Sequence, residues 1–428
     1  MIKTLKNYLK THKYFLLLII VFVTMLPLTI ATPAQTDTRA IVTGISVDKK
    51  EDKYLLGLQL VSPQSNISNN ENLQVVEDEG DSFYDCIANL SIKLGKIIGL
   101  EHASIIILGD KMVGEDAMNI LDFLYRNYKI TMSAILIQCK GEAKKLLETS
   151  AELNNNSSSS LQNNLGFNNQ IIETANTTTL GTFFNDYYSF SSTSLLSVIE
   201  TPDQKESEQN GENSSSSGGS GGSSSSEESS SGGQSSSSGG GESVVEPLVI
   251  NNGEGAIFKN GKLVEIISRD LTKGFNWPQE KTVQGIVKLE DVTDDKFYYH
   301  SNVNVKVEHS KTKVNSYIKN DQMIVDVNLK LYCYVAEIVD NTKKTSKIVE
   351  LNENYLSKEL ISKISEKITE LVSASLEYSK TNKIDVFQFY DRFYKHNNKE
   401  FRKLLNTLGE NYLDNCKINL NISVYPFK

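Results

Sequence analysis

Alternation of apolar and polar residues is the clearest pattern in the chain, and it is strongest in the C-terminal part. Apolar side chains recur at every second position in residues 303–307, 323–335 and 418–424. A period of two places one face of a strand on a core and the other face in water. Strands of this kind are typical of antiparallel sheets, so the pattern predicts an antiparallel sheet in this part of the chain.

A helical period replaces the alternation between the second and third of these strands. Inward positions of residues 356–378 recur every three or four residues, at Leu356, Leu360, Ile364, Ile368, Leu371 and Ser375. A coiled-coil seam would produce a similar pattern over this length. We favour a helix packed on the neighbouring sheet, because the apolar face of that sheet needs a cover. Two shorter helices are predicted at 386–394 and 400–412.

The N-terminal half alternates short strands with amphipathic helices. Apolar runs predict strands at 40–47, 54–61, 102–110 and 132–139, and helical spacing predicts helices at 82–94, 114–126 and 142–150. The order strand–helix–strand–helix is typical of crossover connections and predicts a partly parallel sheet. Residues 253–267 predict a further hairpin, with its turn at Asn260-Gly261.

An uncharged apolar run, YFLLLIIVFVTMLPLTIA, occupies residues 14–31 and follows a lysine-rich segment. As a helix this run would span about 27 Å, close to the hydrocarbon thickness of a bilayer. The basic flank stays in the cytoplasm, so the rest of the chain is expected outside the cytoplasmic membrane. We favour an uncleaved anchor over a cleaved signal peptide, because the run is long and Pro33 crowds the cleavage site.

A tract of Ser, Gly, Glu and Gln interrupts the globular pattern. It has too few apolar residues to form a core, so we predict a disordered linker or loop insertion. The chain is therefore expected to comprise an N-terminal basic segment with an anchor or signal peptide, an N-terminal α+β domain, the Ser/Gly tract, a middle domain and a C-terminal α+β domain. The predicted ranges are 1–35, 36–202, 203–243, 244–300 and 301–428. The expected fold class is α+β, with three subdomains of mixed sheet and helix.

Composition argues against several classes of function. The formal net charge of −9 disfavours nucleic acid as a partner, since a phosphate backbone would be repelled. The histidines are scattered and no CxxC pair occurs, so no metal-binding or cofactor-binding motif is visible. The four cysteines are predicted to be buried free thiols, and a disulfide between distant pairs stays open as the alternative. They are Cys86, Cys139, Cys333 and Cys416.

Two motifs resemble catalytic signatures, but their surroundings do not support catalysis. Residues 218–222 match the GxSxG pattern of hydrolases, yet they lie in the Ser/Gly tract and not at a strand-to-helix turn. Gly253 and Gly255 begin like a dinucleotide-binding loop, but Phe258 stands in place of the third glycine. The sequence therefore predicts no catalytic, cofactor-binding or metal-binding residue.

Four residues are candidates for contact with a partner protein: Asp122, Arg126, Trp277 and Phe389. Asp122 and Arg126 share a face of the helix at 114–126, where a local salt bridge is the simpler interpretation. Trp277 is an interface anchor in one interpretation and fills the seam between subdomains in the other. Phe389 belongs to an aromatic cluster of a kind that is more often core than docking surface.

Several segments, in the right order, resemble the Ger(x)C family of spore germination proteins. That family has an early strand ending in an aspartate and a basic residue, which are Asp48 and Lys49 here. A His–strand–Gly–acid segment and a Leu-Asp-Phe-Leu-x-Arg helix follow, matched here by His102, Gly109, Asp110, Leu121, Asp122, Phe123, Leu124 and Arg126. Residues 141–148, 253–267, 274–277 and 383–405, together with the closing strand, resemble later segments. The family's lipidation cysteine and the Trp-Asp type segment after it are missing here, which favours the helical anchor.

The resemblance implies a non-enzymatic subunit of a nutrient (germinant) receptor on the outer face of the inner spore membrane. It implies two polytopic membrane subunits as partners, with the nutrient bound by one of them, and it implies no cofactor. Two alternatives stay open. One is a surface-anchored solute- or lipid-binding protein unrelated to germination, and the other is a cell-envelope hydrolase whose catalytic group only folding would assemble.

Overall fold

The computed structural model of the protein describes residues 21–22, 38–61, 73–112, 114–126, 130–153, 177–201, 251–279, 283–293, 300–341, 345–348 and 356–427. The predicted linker at 203–243 lies outside these residues, as does the apolar run 14–31 apart from Val21 and Phe22. In the part of the chain that is described, no helix is both long and apolar enough to cross a membrane.

The described residues between positions 39 and 267 contribute nine strands to one mixed sheet. The strands are β1 (Arg39–Lys50), β2 (Lys53–Val61), β3 (Leu73–Gly80), β4 (Ile97–Gly99), β5 (Ile105–Leu108), β6 (Ile135–Lys140), β7 (Thr193–Glu200), β8 (Gly255–Lys259) and β9 (Lys262–Ile267). Their order is β3-β2-β1-β5-β6-β7-β8-β9, and β4 pairs with the start of β1. Because β1, β5, β6 and β7 run parallel to one another, the prediction of a partly parallel sheet is confirmed.

Helices cover both faces of this first sheet. They are α1 (Phe83–Leu94), α2 (Glu115–Arg126), α3 (Ala143–Leu153) and α4 (Leu180–Tyr187). Alternate residues of β5 enter different cores: Ile106 and Leu108 pack with α1, α2 and α4, whereas Ile105 and Ile107 pack with α3. All four side chains are fully buried. A strand covered on both faces therefore appears in the sequence as a continuous apolar run.

The predicted hairpin is confirmed by strands β8 and β9. Its turn residues have positive φ, 52° at Asn260 and 75° at Gly261, as a type I′ turn requires. The hairpin forms no domain of its own, because β8 pairs with β7 and extends the first sheet. The predicted middle domain at 244–300 also contains β10 (Gly285–Val292), which joins a second sheet. A lone hairpin is marginally stable, so its residues gain a core by joining a larger sheet.

The C-terminal part of the chain builds the second sheet, with five strands among the described residues. They are β10, β11 (Ser301–Lys319), β12 (Gln322–Asp340), β13 (Thr345–Ile348) and β14 (Cys416–Pro426). Strands β10 to β13 are antiparallel, as predicted. The prediction is wrong for β14, which runs parallel to β12. The alternation of apolar and polar residues shows which face of a strand is buried, but it does not show the direction of the strand. The helices before β14 return the chain to the end of the sheet where β12 begins, so the two strands run in the same direction.

A long helix, α6 (Lys358–Asn382), packs on one face of the second sheet. Leu360, Ile364 and Ile368 are fully buried against the inward side chains of β11 and β12. The interpretation as a core helix is therefore confirmed over that of a coiled-coil seam. Ser357 caps its first turn by accepting a hydrogen bond from the Leu360 N–H at 3.1 Å.

Three shorter helices and a 3-10 segment complete this part of the fold. They are α5 (Arg269–Asn276), α7 (Phe389–His396), α8 (Asn398–Leu408) and the 3-10 segment Gly409–Asn415. Helix α8 ends before the predicted residue 412, because Gly409 has a φ of 55° that breaks the helix. We call the first sheet with α1–α4 the first lobe, and the second sheet with α5–α8 the second lobe.

All four cysteines are buried and free, which confirms the prediction. Burial raises the pKa of the thiols, to about 11 at Cys86 and about 12 at Cys333. The reactive thiolate form is therefore scarce at neutral pH, and these side chains serve as small apolar core residues.

Candidate functional site

Three residues of the predicted pattern meet at the carboxyl ends of the parallel strands. Asp48 lies near the end of β1, Gly109 directly follows β5 and Gly141 directly follows β6. The Asp48 carboxylate accepts hydrogen bonds from the backbone N–H groups of Ala143 (3.1 Å) and Lys144 (3.3 Å) in the first turn of α3. The Asp48 side chain therefore links β1 to α3 by hydrogen bonds. It does so at the edge of the sheet where α/β proteins commonly bind ligands.

Protein atoms fill the space directly beyond β5. A Cβ atom at position 109 would lie 1.7 Å from Asp48 Oδ1, so only glycine fits while the carboxylate stays in place. On the neighbouring strand, Gln138 Nε2 donates to the carbonyl oxygens of Leu108 and Gly109 at 3.3 and 3.1 Å. The Asp48 carboxylate, Gly109 and the Gln138 amide nitrogen are consequently packed against one another at this edge.

Burial raises the pKa of Asp48 to about 6. Loss of hydration disfavours the charged carboxylate, and the nearby Glu77 and Glu142 add to this effect, whereas the two α3 amides oppose it. A carboxyl group with such a pKa can act as an acid or base near neutral pH. Here both oxygens face amide groups of α3, so the carboxylate holds the helix in place.

The next residue of the pattern, Lys49, fastens a helix on the opposite face of the sheet. Its Nζ lies 2.6 Å from Asp116 Oδ2 in the first turn of α2, and the Tyr54 hydroxyl donates to Asp116 Oδ1 at 3.1 Å. The hydrogen-bonded cation lowers the pKa of Asp116. Successive residues of a strand point to opposite faces, so Asp48 reaches α3 and Lys49 reaches α2.

The seam between the two lobes is the second candidate region. Apolar side chains from both lobes form one core there: Leu195, Ile257, Ile267, Phe275, Ile384 and Val386. Helices α5 and α6 cross closely, since a Cβ atom at Gly274 would lie 2.2 Å from the backbone oxygen of Leu371. Ser375 Oγ donates to the carbonyl oxygen of Leu271 at 2.9 Å. The apolar core of the seam therefore continues into a close helix crossing within the second lobe.

Polar contacts also join the lobes. Asp391 in α7 accepts hydrogen bonds from the N–H of Phe190 (2.9 Å) and from the N–H and hydroxyl of Ser191 (3.0 and 2.7 Å). Close by, the Gln388 side-chain amide donates to Asp186 at 2.7 Å. The bonded residues are about 200 positions apart in the chain, so these contacts fix the position of one lobe against the other.

A cleft with a volume of about 350 Å³ opens beside these contacts. Both polar and apolar residues line it, with Thr182, Asp186, Val325, Val327, Gln388 and Arg392 among them. The volume is near the lower end of the range of small-molecule pockets. Because both lobes contribute side chains, any molecule in the cleft would contact both.

Comparison with known proteins assigns both lobes to one family. The domain described as "Spore germination protein N-terminal domain" matches residues 34–201, and "Spore germination B3/ GerAC like, C-terminal" matches residues 253–425. The chain belongs to the Ger(x)C family. Proteins of this family act in spore germination as parts of receptor complexes, and the family is not a known enzyme family. It is associated with membranes.

Two relatives and one solved structure give the extent of the similarity. Spore germination protein KC of Bacillus subtilis (strain 168) is 20% identical over 405 residues, which cover 90% of this chain and 88% of the relative. Putative spore germination protein YfkR of the same organism is 23% identical over 123 residues, 27% of this chain and only 32% of that relative. The crystal structure of the GerBC protein aligns over 90% of this chain and 97% of that chain, with 15% identity and a TM-score of 0.47.

In this Ger(x)C protein the predicted interface residues Asp122 and Arg126 form a local ion pair. Arg126 Nε lies 2.8 Å from Asp122 Oδ2, one helical turn away on α2, and the Arg126 side chain is 73% exposed. Ion pairs this exposed contribute little to stability. Both side chains are accessible to a partner, and their role at an interface stays a prediction.

Trp277 and Phe389, the other two predicted interface residues, lie in the interior. Trp277 is fully buried in the core of the second lobe, packed with residues of β10 and α6. Phe389 is 3% exposed and packs with Met323 and Val325. Phe389 is thus buried as in its interpretation as a core residue, whereas Trp277 lies in the core of the second lobe and not in the seam between the lobes. A role of either ring at an interface stays a prediction.

Sequence reasoning missed the polar residues of the seam. Asp186 belongs to no motif, and no local pattern connects positions about 200 residues apart. Gln388 and Asp391 lie in the segment 383–405 that resembles the family, but the resemblance and the aromatic cluster there gave neither residue a role.

Proposed function

We propose that this Ger(x)C protein is a non-catalytic, membrane-tethered subunit of a nutrient (germinant) receptor that triggers spore germination. The observation that carries the proposal is family membership over both lobes, since residues 34–201 and 253–425 match the two domains of the family in order. A chain with both domains and a packed seam between them offers one rigid surface to its partners. Rigid presentation of a surface is what a receptor subunit needs.

Carboxylates that accept hydrogen bonds from backbone amides support a binding role over turnover. Asp48 holds the first turn of α3, and Asp391 holds the loop before β7. Asp385 accepts hydrogen bonds from the N–H groups of Phe389 and Tyr390, and burial raises its pKa. In each case the carboxylate stabilises backbone amide groups, which is a structural use of an acidic side chain.

The subunit would lie outside the cytoplasmic membrane, on the outer face of the inner spore membrane. The apolar run 14–31 and the basic residues before it support a tether with this orientation. The partners would be two polytopic membrane subunits, and the nutrient would bind to one of these. The net charge of −9 is compatible with protein partners and disfavours nucleic acid.

A gene deletion and a co-purification test the proposal. Spores without the gene should form normally but germinate poorly with one class of nutrient, while germinants that act without receptors still work. The tagged protein, solubilised from spore membranes in mild detergent, should co-purify with polytopic membrane proteins. A variant without residues 1–35 is the control, because it should leave the membrane fraction. Expression outside sporulation, together with failure to co-purify, would refute the receptor function.

The cleft between the lobes favours a second candidate, a surface-anchored solute-binding protein. Its volume of about 350 Å³ and its amphipathic lining suit a small polar molecule. Equilibrium dialysis of the solubilised chain with amino acids, sugars and nucleosides separates the two functions. Tight, saturable binding without any partner would favour the solute-binding protein, and weak or absent binding favours the receptor subunit.

A further inference from the structure

Exposed aliphatic side chains gather on one tight turn of the first lobe. Ile92 is 81% exposed and Ile97 is 61% exposed, although isoleucine is usually a core residue. Ile92 lies in the last turn of α1, and Ile97 begins β4. Between them Gly95 adopts a left-handed conformation with a φ of 63°, and its N–H donates to the Ile92 carbonyl oxygen. The two exposed side chains therefore flank one tight turn.

The strand pairing places this turn beside the first residues of β1, which follow the apolar run in the sequence. Strand β4 pairs in parallel with the first residues of β1, and Ile97 is the partner of Arg39. Ala31, the last residue of the apolar run, precedes the lobe by only a few positions. Even when fully extended, seven residues span only about 25 Å. With 14–31 as the anchor, Arg39 and the turn lie within about 25 Å of the bilayer surface.

Basic side chains accompany the two isoleucines. Lys96 is exposed between them, and Arg39 remains 48% exposed although its guanidinium lies 3.7 Å from Glu101. Lys93 points away, toward β3, where its Nζ lies 3.6 Å from Asp78. Exposed aliphatic side chains next to cations are typical of protein surfaces that rest on anionic lipid.

We propose that a basal patch, made of Arg39, Ile92, Lys96 and Ile97, rests on the anionic surface of the bilayer and orients the first lobe. The proposal rests on the membrane tether of the proposed function. The isoleucines enter the boundary between headgroups and acyl chains, and the two cations meet lipid phosphates. A lipid surface fits better than a partner protein, because the patch lies within reach of the anchor and combines aliphatic groups with positive charge. The contact determines which side of the lobe faces the polytopic subunits.

Fluorescent labels at the two ends of α1 test the basal patch on the full-length chain. The four native cysteines are buried, so a single new cysteine reacts selectively with an environment-sensitive fluorophore. Ile92→Cys places the label in the patch. Tyr84→Cys is the matched control, because Tyr84 is 68% exposed and belongs to the same helix. The two positions are about 12 Å apart along the axis of α1.

The labelled chains are reconstituted into vesicles of phosphatidylglycerol and phosphatidylcholine that carry a quencher near the headgroups. We expect severalfold stronger quenching at position 92 than at position 84, and a smaller difference in pure phosphatidylcholine. Ile97→Asp in the Ile92→Cys chain should weaken the quenching, while the chain still floats with the vesicles through its anchor.

Each of the other outcomes overturns a stated part of the proposal. Equal quenching at positions 92 and 84 on a chain that floats would overturn the basal patch and leave the tether intact. Quenching at position 92 that is independent of lipid charge would overturn the role of Arg39 and Lys96. A chain that does not float with the vesicles would overturn the tether and the patch together.

Discussion

The Asp48 carboxylate fits beside β5 only because residue 109 is a glycine. The first turn of α3 is in turn held by hydrogen bonds to that carboxylate. The carboxylate occupies the volume that any side chain at position 109 would need. It also sits on the first turn of α3, where the partial positive charge of the helix N-terminus favours an anion. The Asp and Gly of the family pattern are therefore explained by packing, without any chemistry on a substrate.

Substitution at Gly109 tests this dependence. We expect Gly109→Ala to lower the free energy of unfolding by about 1–3 kcal/mol, because the new methyl group overpacks the space of the carboxylate. Asp48→Ala provides the partner for a double-mutant cycle, since removal of the carboxylate makes room for the methyl group. The double variant should be less destabilised than the sum of the two single variants, as measured by urea unfolding. Additive effects would show that the two side chains do not share space.

The raised pKa of Asp48 predicts a pH dependence of stability. The folded state holds the proton with a pKa of about 6, against an ordinary value of 3.8 in the unfolded chain. The contribution of this group to stability is therefore fully present below pH 4 and is lost as the pH rises through about 6. The loss is at most about 3 kcal/mol, since each pKa unit corresponds to about 1.4 kcal/mol.

The variant Asp48→Asn isolates this effect, because it keeps one acceptor oxygen and has no titratable proton. The free energy of unfolding of the wild type, minus that of D48N, should fall between about pH 4 and pH 6 and stay constant above pH 7. Urea unfolding of both proteins at each pH provides the values. A constant difference across the whole range would contradict the raised pKa.

At the scale of whole elements, apolar periodicity predicted element type wherever one face is buried. The alternation in β12 and the helical spacing in α6 both match the side chains that are buried in the core of the second lobe. The parallel direction of β14 was beyond prediction, because parallel and antiparallel strands share the same alternation. The division of residues 244–300 between two sheets was equally hidden, because strand pairing depends on distant partners.

The candidate site was predictable only in part. The resemblance marked Asp48, Lys49 and Gly109, but their common role requires knowledge that α3 and α2 lie on opposite faces of the sheet. The seam contacts of Asp186 and Asp391 join positions about 200 residues apart. Such pairs leave no trace in local periodicity, so a single sequence could not reveal them.

The crossing of α5 and α6 depends on a residue without a side chain. We expect Gly274→Ala to lower the free energy of unfolding by about 1–3 kcal/mol, because its methyl group would meet the backbone of Leu371. Asp270→Ala, at an exposed position of the same helix, is the control and should cost no more than about 0.5 kcal/mol. Thermal unfolding of both variants measures the effect. Similar small losses in the two variants would contradict a close helix crossing.

At the scale of the whole molecule, the seam decides whether the two lobes move as one body. An apolar core shared by both lobes and the hydrogen bonds of Asp391 oppose independent motion. If the two lobes move as a single body, the orientation that the basal patch gives to the first lobe also fixes the orientation of the second lobe. Loss of the polar contacts alone should therefore loosen the seam without unfolding either core.

Asp391→Ala removes the acceptor of three hydrogen bonds across the seam. We expect a loss of about 1–3 kcal/mol, because the N–H groups of Phe190 and Ser191 lose their partner. Amide hydrogen exchange should become faster at these two residues and stay unchanged in the buried strand β5. Asp391→Asn keeps one acceptor oxygen and should fall between the wild type and D391A. If Phe190 and Ser191 exchange at the wild-type rate in D391A, the apolar core alone holds the lobes together, and the carboxylate is not needed for their alignment.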